Sequence, residues 1–136
     1  MAGVGTVVKA IRPAARVYGI QSETSRPWVE SFRAGRVVSV TYAATLADGL
    51  AGGIDPENFP VVRPVTDDMR SVTEAAVQDA MVGLAGQHRL IVEGAGAVGV
   101  AALITDVVHA EPGSHVLVVL SGGNVDPDSL LDLMHG

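Results

Sequence analysis

A chain of 136 residues that is 48% apolar but only 4% aromatic is long enough for one domain, with a core built from Val, Ala, Leu and Ile. A formal net charge of −6 gives no electrostatic reason to bind nucleic acid or an anionic membrane. No cysteine is present, which excludes disulfides, thiolate catalysis and cysteine metal sites.

Met1 to Val4 lack a basic region before an apolar one, so no signal peptide is expected and the default location is cytoplasmic. Gly5 to Arg12 reads as a helix with Lys9 and Arg12 at the negative end of its dipole and Pro13 beyond it. Arg16 to Ile20 reads as a short strand. Trp28 to Arg33 reads as a short helix, with Pro27 at its first position and Gly35 as its stop. Leu46 to Gly53 is a small-residue loop, followed by the turn-like Asp55-Pro56. From Phe59 to Val65 the pattern alone does not separate strand from helix, because Pro60 and Pro64 weaken both. Met69 to Val72 has the length of a short strand. Thr73 then caps a helix running to about Gly86, with Glu74 in its first turn.

Arg89 to Val92 is a short apolar run. Glu93 and a glycine–alanine helix to about His109 follow it, and the uncharged stretch from Gly94 to Thr105 is too short to span a bilayer. Pro112-Gly113 makes a turn. Val116 to Leu120 is unbroken and rich in β-branched residues, the pattern of a strand covered on both faces. Asp126 or Asp128 caps a last helix over Leu130 to Met134. Alternating strands and helices imply an α/β layer with a mostly parallel sheet.

Two motifs carry chemistry. Gly94-x-Gly96-x-x-Gly99 fits a dinucleotide fingerprint that opens a helix. However, the following strand ends in Ser121 rather than in an acid, and close helix–sheet packing gives the same glycines. Ser121-Gly122-Gly123-Asn124 follows the Val116 to Leu120 run. Ligands of open α/β sheets gather at such strand ends, and paired glycines admit a flat ligand. A plain strand-to-helix turn has the same composition. Glu93 is either a ligand contact or a helix-start charge satisfied by backbone amides, and Asp48, between Ala47 and Gly49, has the same ambiguity and reads more simply as a loop acid. His88, His109, His115 and His135 lack metal-like spacing and read as solvated. Asp67 and Asp68 read as an exposed turn. Lys9, the only lysine, reads as a surface cation.

Taken together, Val8 to Pro13, Thr45 to Gly49, Leu90 to Ala97 and Val118 to Asp126 resemble four stretches of the fold-type-II pyridoxal-phosphate (PLP) enzymes. They stand in that family's order and at about its spacing. The likeness is greatest to the serine/threonine dehydratases (threonine ammonia-lyases) and their serine racemase relatives. It implies that residues 1–136 are the C-terminal part of the catalytic domain: a partial three-layer α/β fold, a mostly parallel sheet with flanking helices. It also makes Phe59 to Val65 a helix and Met69 to Val72 the following strand.

In such enzymes the serine of the S-G-G-N turn faces the pyridine nitrogen. The resemblance therefore gives Ser121 and Gly122, Glu93 and Gly94, and Asp48 and Gly49 as cofactor-binding residues. A neutral hydroxyl at the nitrogen leaves the pyridine unprotonated, which suits β-elimination from a hydroxy amino acid. The family's cofactor-bonding lysine lies in an N-terminal portion that is expected to precede this chain, and its tetraglycine phosphate loop is expected just before Ala2. Lys9 matches a helix lysine instead. The PLP site is thus expected to be incomplete, with no catalytic residue here.

Some relatives hold a divalent cation at positions that fall on Gln21 and Pro27, so no metal ligand is assigned. The intact enzyme would take L-threonine or L-serine to a 2-oxo acid and ammonia. This chain would lack that activity alone, and would form a homo-oligomer or pair with the N-terminal portion. The alternative is a non-catalytic module that binds a nucleotide or a partner chain.

Overall fold

In the computed structural model, which describes residues 1–135, the sheet of the described residues has two strands, β1 (Tyr18–Ser22) and β2 (Asp68–Val72). They pair in parallel, with Tyr18 opposite Asp68 and Ser22 opposite Val72. Side chains alternate between faces along a strand, and this alternation sorts the surrounding helices into layers. Val72 and Ile20 belong to a core shared with helices α4 (Glu74–Gly83) and α5 (Gly94–Ile104). Met69, an odd number of residues from Val72, lies instead with Val29 of α2 (Pro27–Ala34) and Val62 of α3 (Phe59–Val62). The sheet is therefore covered on both sides, the partial three-layer arrangement expected.

The larger core is made of small residues. Ala76, Val77, Ala80 and Met81 of α4 pack with Ala97, Val98, Ala101 and Ala102 of α5, and Val77, Ala97 and Ala101 are fully buried. Small side chains at a helix contact shorten the distance between axes, and each fully buried Val contributes about 1.5–3 kcal/mol. The smaller core gathers the aromatics: Trp28 stacks on Phe59 at 6.0 Å between centroids, and Phe32 meets Phe59 edge-on at 6.1 Å.

Local signals set several boundaries. Pro27 opens α2, and Gly35 closes it in the left-handed conformation at φ 67°. The Thr73 side chain accepts a hydrogen bond from the Ala76 amide at 3.1 Å and caps α4. That helix runs on through a wider turn over Leu84–His88 and stops at Arg89, left-handed at φ 59°, rather than at Gly86. Helix α1 (Ala2–Ile11) starts earlier than expected, and β1 lies two residues later than Arg16 to Ile20. The Phe59 to Val65 stretch is helical, α3 continuing as a tight turn over Arg63–Val65. The last helix, α6 (Pro127–His135), is capped by Asp126, which accepts from the Ser129 amide at 2.9 Å and hydroxyl at 2.8 Å.

Two expectations fail. The glycine–alanine helix ends at Ile104, short of His109, because the Thr105 hydroxyl bonds back to the Ala101 carbonyl at 2.6 Å and Asp106 turns left-handed at φ 56°. Val116 to Leu120 joins no sheet and is not covered on both faces: Leu117 is 83% exposed and Val119 59%. Among the described residues no strand lies beside it; it rests against α5, where a Cβ on Gly99 would meet the Val118 side chain.

Candidate functional site

Helix α5 begins on a chain stripped of side chains, and its first turn is where three separate segments meet. Glu93, in extended conformation (φ −68°, ψ 160°), precedes the helix without capping it through its side chain. Its amide donates to the Gly122 carbonyl at 3.2 Å, and its carboxylate accepts from the Asn124 amide at 3.3 Å. The 121–124 turn is thus docked on one residue from both its backbone and its side chain. The helix's own amides do not satisfy the Glu93 carboxylate.

The glycines explain why the contact can form. Gly122 is left-handed at φ 80°, and a Cβ there would run into the Glu93 carboxylate. A Cβ on Gly94 would strike the Leu46 carbonyl, and one on Gly96 the Ser121 carbonyl. On Gly49 it would sit 3.1 Å from the Ala95 methyl and 3.6 Å from a Glu93 carboxylate oxygen. Backbone therefore lies on backbone at Gly94 and Gly96, while Gly122 and Gly49 make room for the Glu93 carboxylate and the Ala95 methyl. Gly94, Gly96 and Gly99 of the dinucleotide-like pattern all face protein atoms, so their missing side chains serve packing and leave no room for a pyrophosphate.

All six sequence-derived site residues fall in this cluster. Ser121, Gly122, Asp48 and Gly49 are exposed, Glu93 is half-buried, and Gly94 is buried beneath them. The Asp48 carboxylate accepts from the Gly49 amide at 2.7 Å, in a tight turn over Asp48–Leu50. This set fits the ring side of a flat heteroaromatic cofactor. Gly49 and Gly122 lie against Glu93 with no side chain of their own, and Ser121 is exposed beside them. Beside the turn, a cleft of about 300 Å³ has Gly49, Gly52, Gly53, Gln21, Trp28 and Met69 among its lining residues.

A second centre escaped the sequence reading, which saw Glu74 only as a first-turn acid. Its carboxylate accepts hydrogen bonds from the Ser22 hydroxyl, from Thr24 at 3.1 Å, from Thr45 at 2.6 Å and from the Leu46 amide at 2.7 Å. Burial opposes its ionisation. Hydrogen bonds from Ser22, Thr45, the Leu46 amide and Thr24 outweigh that and hold the carboxyl below its ordinary value near 4.5. The only sequence clue was the Thr and Ser residues at 22, 24 and 45, none of them near Glu74 in the chain.

The remaining charged residues have structural duties. Lys9 is more than a surface cation: its ammonium donates to the Ala15 carbonyl at 2.8 Å and pairs with Asp67 at 2.6 Å. Asp67, expected in a plain exposed turn, also accepts from the Val17 amide at 2.7 Å, and these bonds, Lys9's first, lower its pKa. The Gln21 side-chain carbonyl caps α2, accepting from the Trp28 and Val29 amides at 2.8 and 3.3 Å, and Pro27 is buried at the helix start. The Gln21 side chain is thus engaged by α2, and Pro27 carries no side-chain ligand atom. Among the described residues no group of three or more His, Asp and Glu could hold a metal ion, and no helix is long and apolar enough to cross a membrane. His88, His109, His115 and His135 are exposed.

Comparison with known proteins shows the family. The chain is 37% identical to the L-threonine ammonia-lyase of Thermotoga maritima over 93% of its own length and 31% of that protein's. It is 40% identical to a putative threonine dehydratase of Sinorhizobium fredii over 99% of its length and 41% of that protein's. The structure of maize serine racemase superposes with a TM-score of 0.87 at 32% identity, over 98% of this chain and 42% of that one. The chain thus spans about a third to two fifths of these relatives. The family model described as pyridoxal-phosphate dependent enzyme matches residues 1–122, and the chain belongs to that family.

Proposed function

We propose that residues 1–136 form the ring-side wall of the PLP site in a lyase that deaminates L-threonine or L-serine to a 2-oxo acid and ammonia. The observation that carries the proposal is the convergence of Gly49, Glu93-Gly94 and Ser121-Gly122 at the start of α5. The names of the relatives supply the substrate class. When bound, PLP supplies the electron sink that makes an amino acid's α-proton acidic.

This chain's residues bind and orient. With PLP bound, the Ser121 hydroxyl would hold the pyridine nitrogen, and a neutral partner there would leave the nitrogen unprotonated. Glu93 holds the Ser121 turn in place through the Asn124 amide. Asp48 and Gly49 would border the ring. Lys9, engaged by Asp67 and Ala15, does not bond the cofactor. The reading therefore assigns the chain no lyase activity by itself and leaves the cofactor-bonding amine to the rest of the fold. The exposed Val116 to Leu120 segment supports pairing with further polypeptide; a homo-oligomeric, cytoplasmic enzyme belongs to the same proposal.

Nuclear magnetic resonance tests it on the chain as it stands. Adding PLP should shift amide signals at Asp48-Gly49, Glu93 to Gly96 and Ser121-Gly122, with no 2-oxo acid formed from threonine or serine and no borohydride-stable adduct at Lys9. Shifts confined to other segments, or a Lys9 adduct, would overturn it.

A further inference from the structure

We propose that Glu74 is a positioning residue for this wall: by tying the carboxyl end of β1 to Thr45 and Leu46, its carboxylate sets where Asp48 and Gly49 lie against α5. The cofactor part of this inference rests on the ring-side reading above, while the placement itself does not.

The hydroxyls point at Glu74 for a local reason. Ser22 Oγ accepts from the Thr24 amide at 3.2 Å, and Thr45 Oγ1 accepts from the Ala47 amide at 3.0 Å. With those lone pairs engaged, both protons are directed at the carboxylate. One Glu74 oxygen gathers the three hydroxyls, and the other takes the Leu46 amide. Leu46 is then gripped from two sides, because its carbonyl lies against Gly94. The next residue, Ala47, is 1% exposed, and its carbonyl accepts from the Leu50 amide at 2.9 Å to close the turn that carries Asp48 and Gly49.

This grip matters because, although Leu46, Ala47 and Leu50 pack on the larger core, few other hydrogen bonds fix the segment. From residue 37 to residue 45 the chain has no helix or strand, and residues 51–53 are exposed. Among the described residues, the hydrogen bonds that tie residues 36–53 to the rest of the fold are those to Glu74 and one from the Val38 amide to Ser31. Charge is part of the design, since an anion accepts four donors where an amide would present its own protons to one side of the cluster.

Amide hydrogen exchange on the whole chain decides it, comparing Glu74→Ala, Glu74→Gln and Thr45→Val with a core control, Val77→Ala. We expect Glu74→Ala to speed exchange at Leu46, Ala47 and Gly49 by at least about tenfold relative to the interior of α5. Glu74→Gln and Thr45→Val should show the same local pattern more weakly, and Val77→Ala should raise exchange without singling out this segment. In wild type the segment should loosen as pH falls through the lowered Glu74 pKa, a dependence that Glu74→Gln removes. With PLP added, Thr45→Val should lose signal shifts at Asp48-Gly49 and keep those at Ser121-Gly122. Unchanged exchange at residues 46–49, or a rise spread evenly over the fold, overturns the proposal. If PLP shifts nothing in wild type, the ring-side reading fails and the exchange result still decides the role of Glu74. Should Glu74→Ala fail to fold, Thr45→Val and the pH profile decide alone.

Discussion

Replacing Gly94 and Gly83 by alanine, one at a time, should move stability in opposite directions. Gly83 ends α4 in helical geometry (φ −62°, ψ −44°), and an added methyl group meets nothing within 4 Å. The substitution only restricts the unfolded chain and improves helix propensity, so it should stabilise by about 0.5–1 kcal/mol. Gly94 opens α5, and an added methyl group meets the Leu46 carbonyl, an atom that cannot swing aside as a side-chain tip would. Overpacking of that kind costs about 1–3 kcal/mol, and at the first position of a helix the propensity gain of an interior site does not apply. A domain of this size shifts its melting temperature by about 3–5 °C per kcal/mol. Gly83→Ala should therefore melt about 2–5 °C higher and Gly94→Ala about 3–15 °C lower, read by far-ultraviolet circular dichroism. A Gly94→Ala protein as stable as wild type would mean that α5 and Leu46 do not touch, and the assembly of the wall would be refuted with it.

Other outcomes follow from single contacts. Lys9→Met removes the ion pair to Asp67 and should cost about 1 kcal/mol or less, as half-exposed pairs do. Asp67 is lowered in the folded state, so its contribution is present above the ordinary carboxylate value near 3.8 and is lost as pH falls through the folded value. Stability curves of wild type and Lys9→Met should accordingly converge in acid; a gap that widens there would contradict the assignment. Thr73→Ala removes the cap of α4 and should cost about 1 kcal/mol in chemical denaturation, and no loss would show that the Ala76 amide finds another partner.

What the sequence revealed was mostly what neighbours in the chain decide. Pro27 and Gly35 bracket α2, Thr73 starts α4, and Asp126 starts α6, because caps and breakers act within one turn. The six site residues were reached by resemblance; in the structure Gly94 lies on the Leu46 carbonyl, Gly122 on the Glu93 carboxylate and Gly49 on the Ala95 methyl, contacts between segments far apart in the chain. Glu74 was not legible as a hub because its partners Ser22 and Thr45 lie 52 and 29 positions away. Gln21 as the cap of α2 was hidden in the same way, its amide partners being seven and eight residues on and across a turn. Val116 to Leu120 misled for the opposite reason. Its composition reads as a covered strand, but among the described residues no strand pairs with it, and Leu117 and Val119 are exposed.

That uncovered segment governs how the chain behaves in a test tube. Val116, Leu117, Val119 and Leu120 stand at least 37% exposed without a charge or proline between them, and such runs template intermolecular β-pairing. A formal net charge of −6 opposes this by mutual repulsion between molecules, and salt screens that repulsion over about 8–10 Å at physiological strength. Colloidal stability should therefore fall as ionic strength rises, with light scattering growing in step.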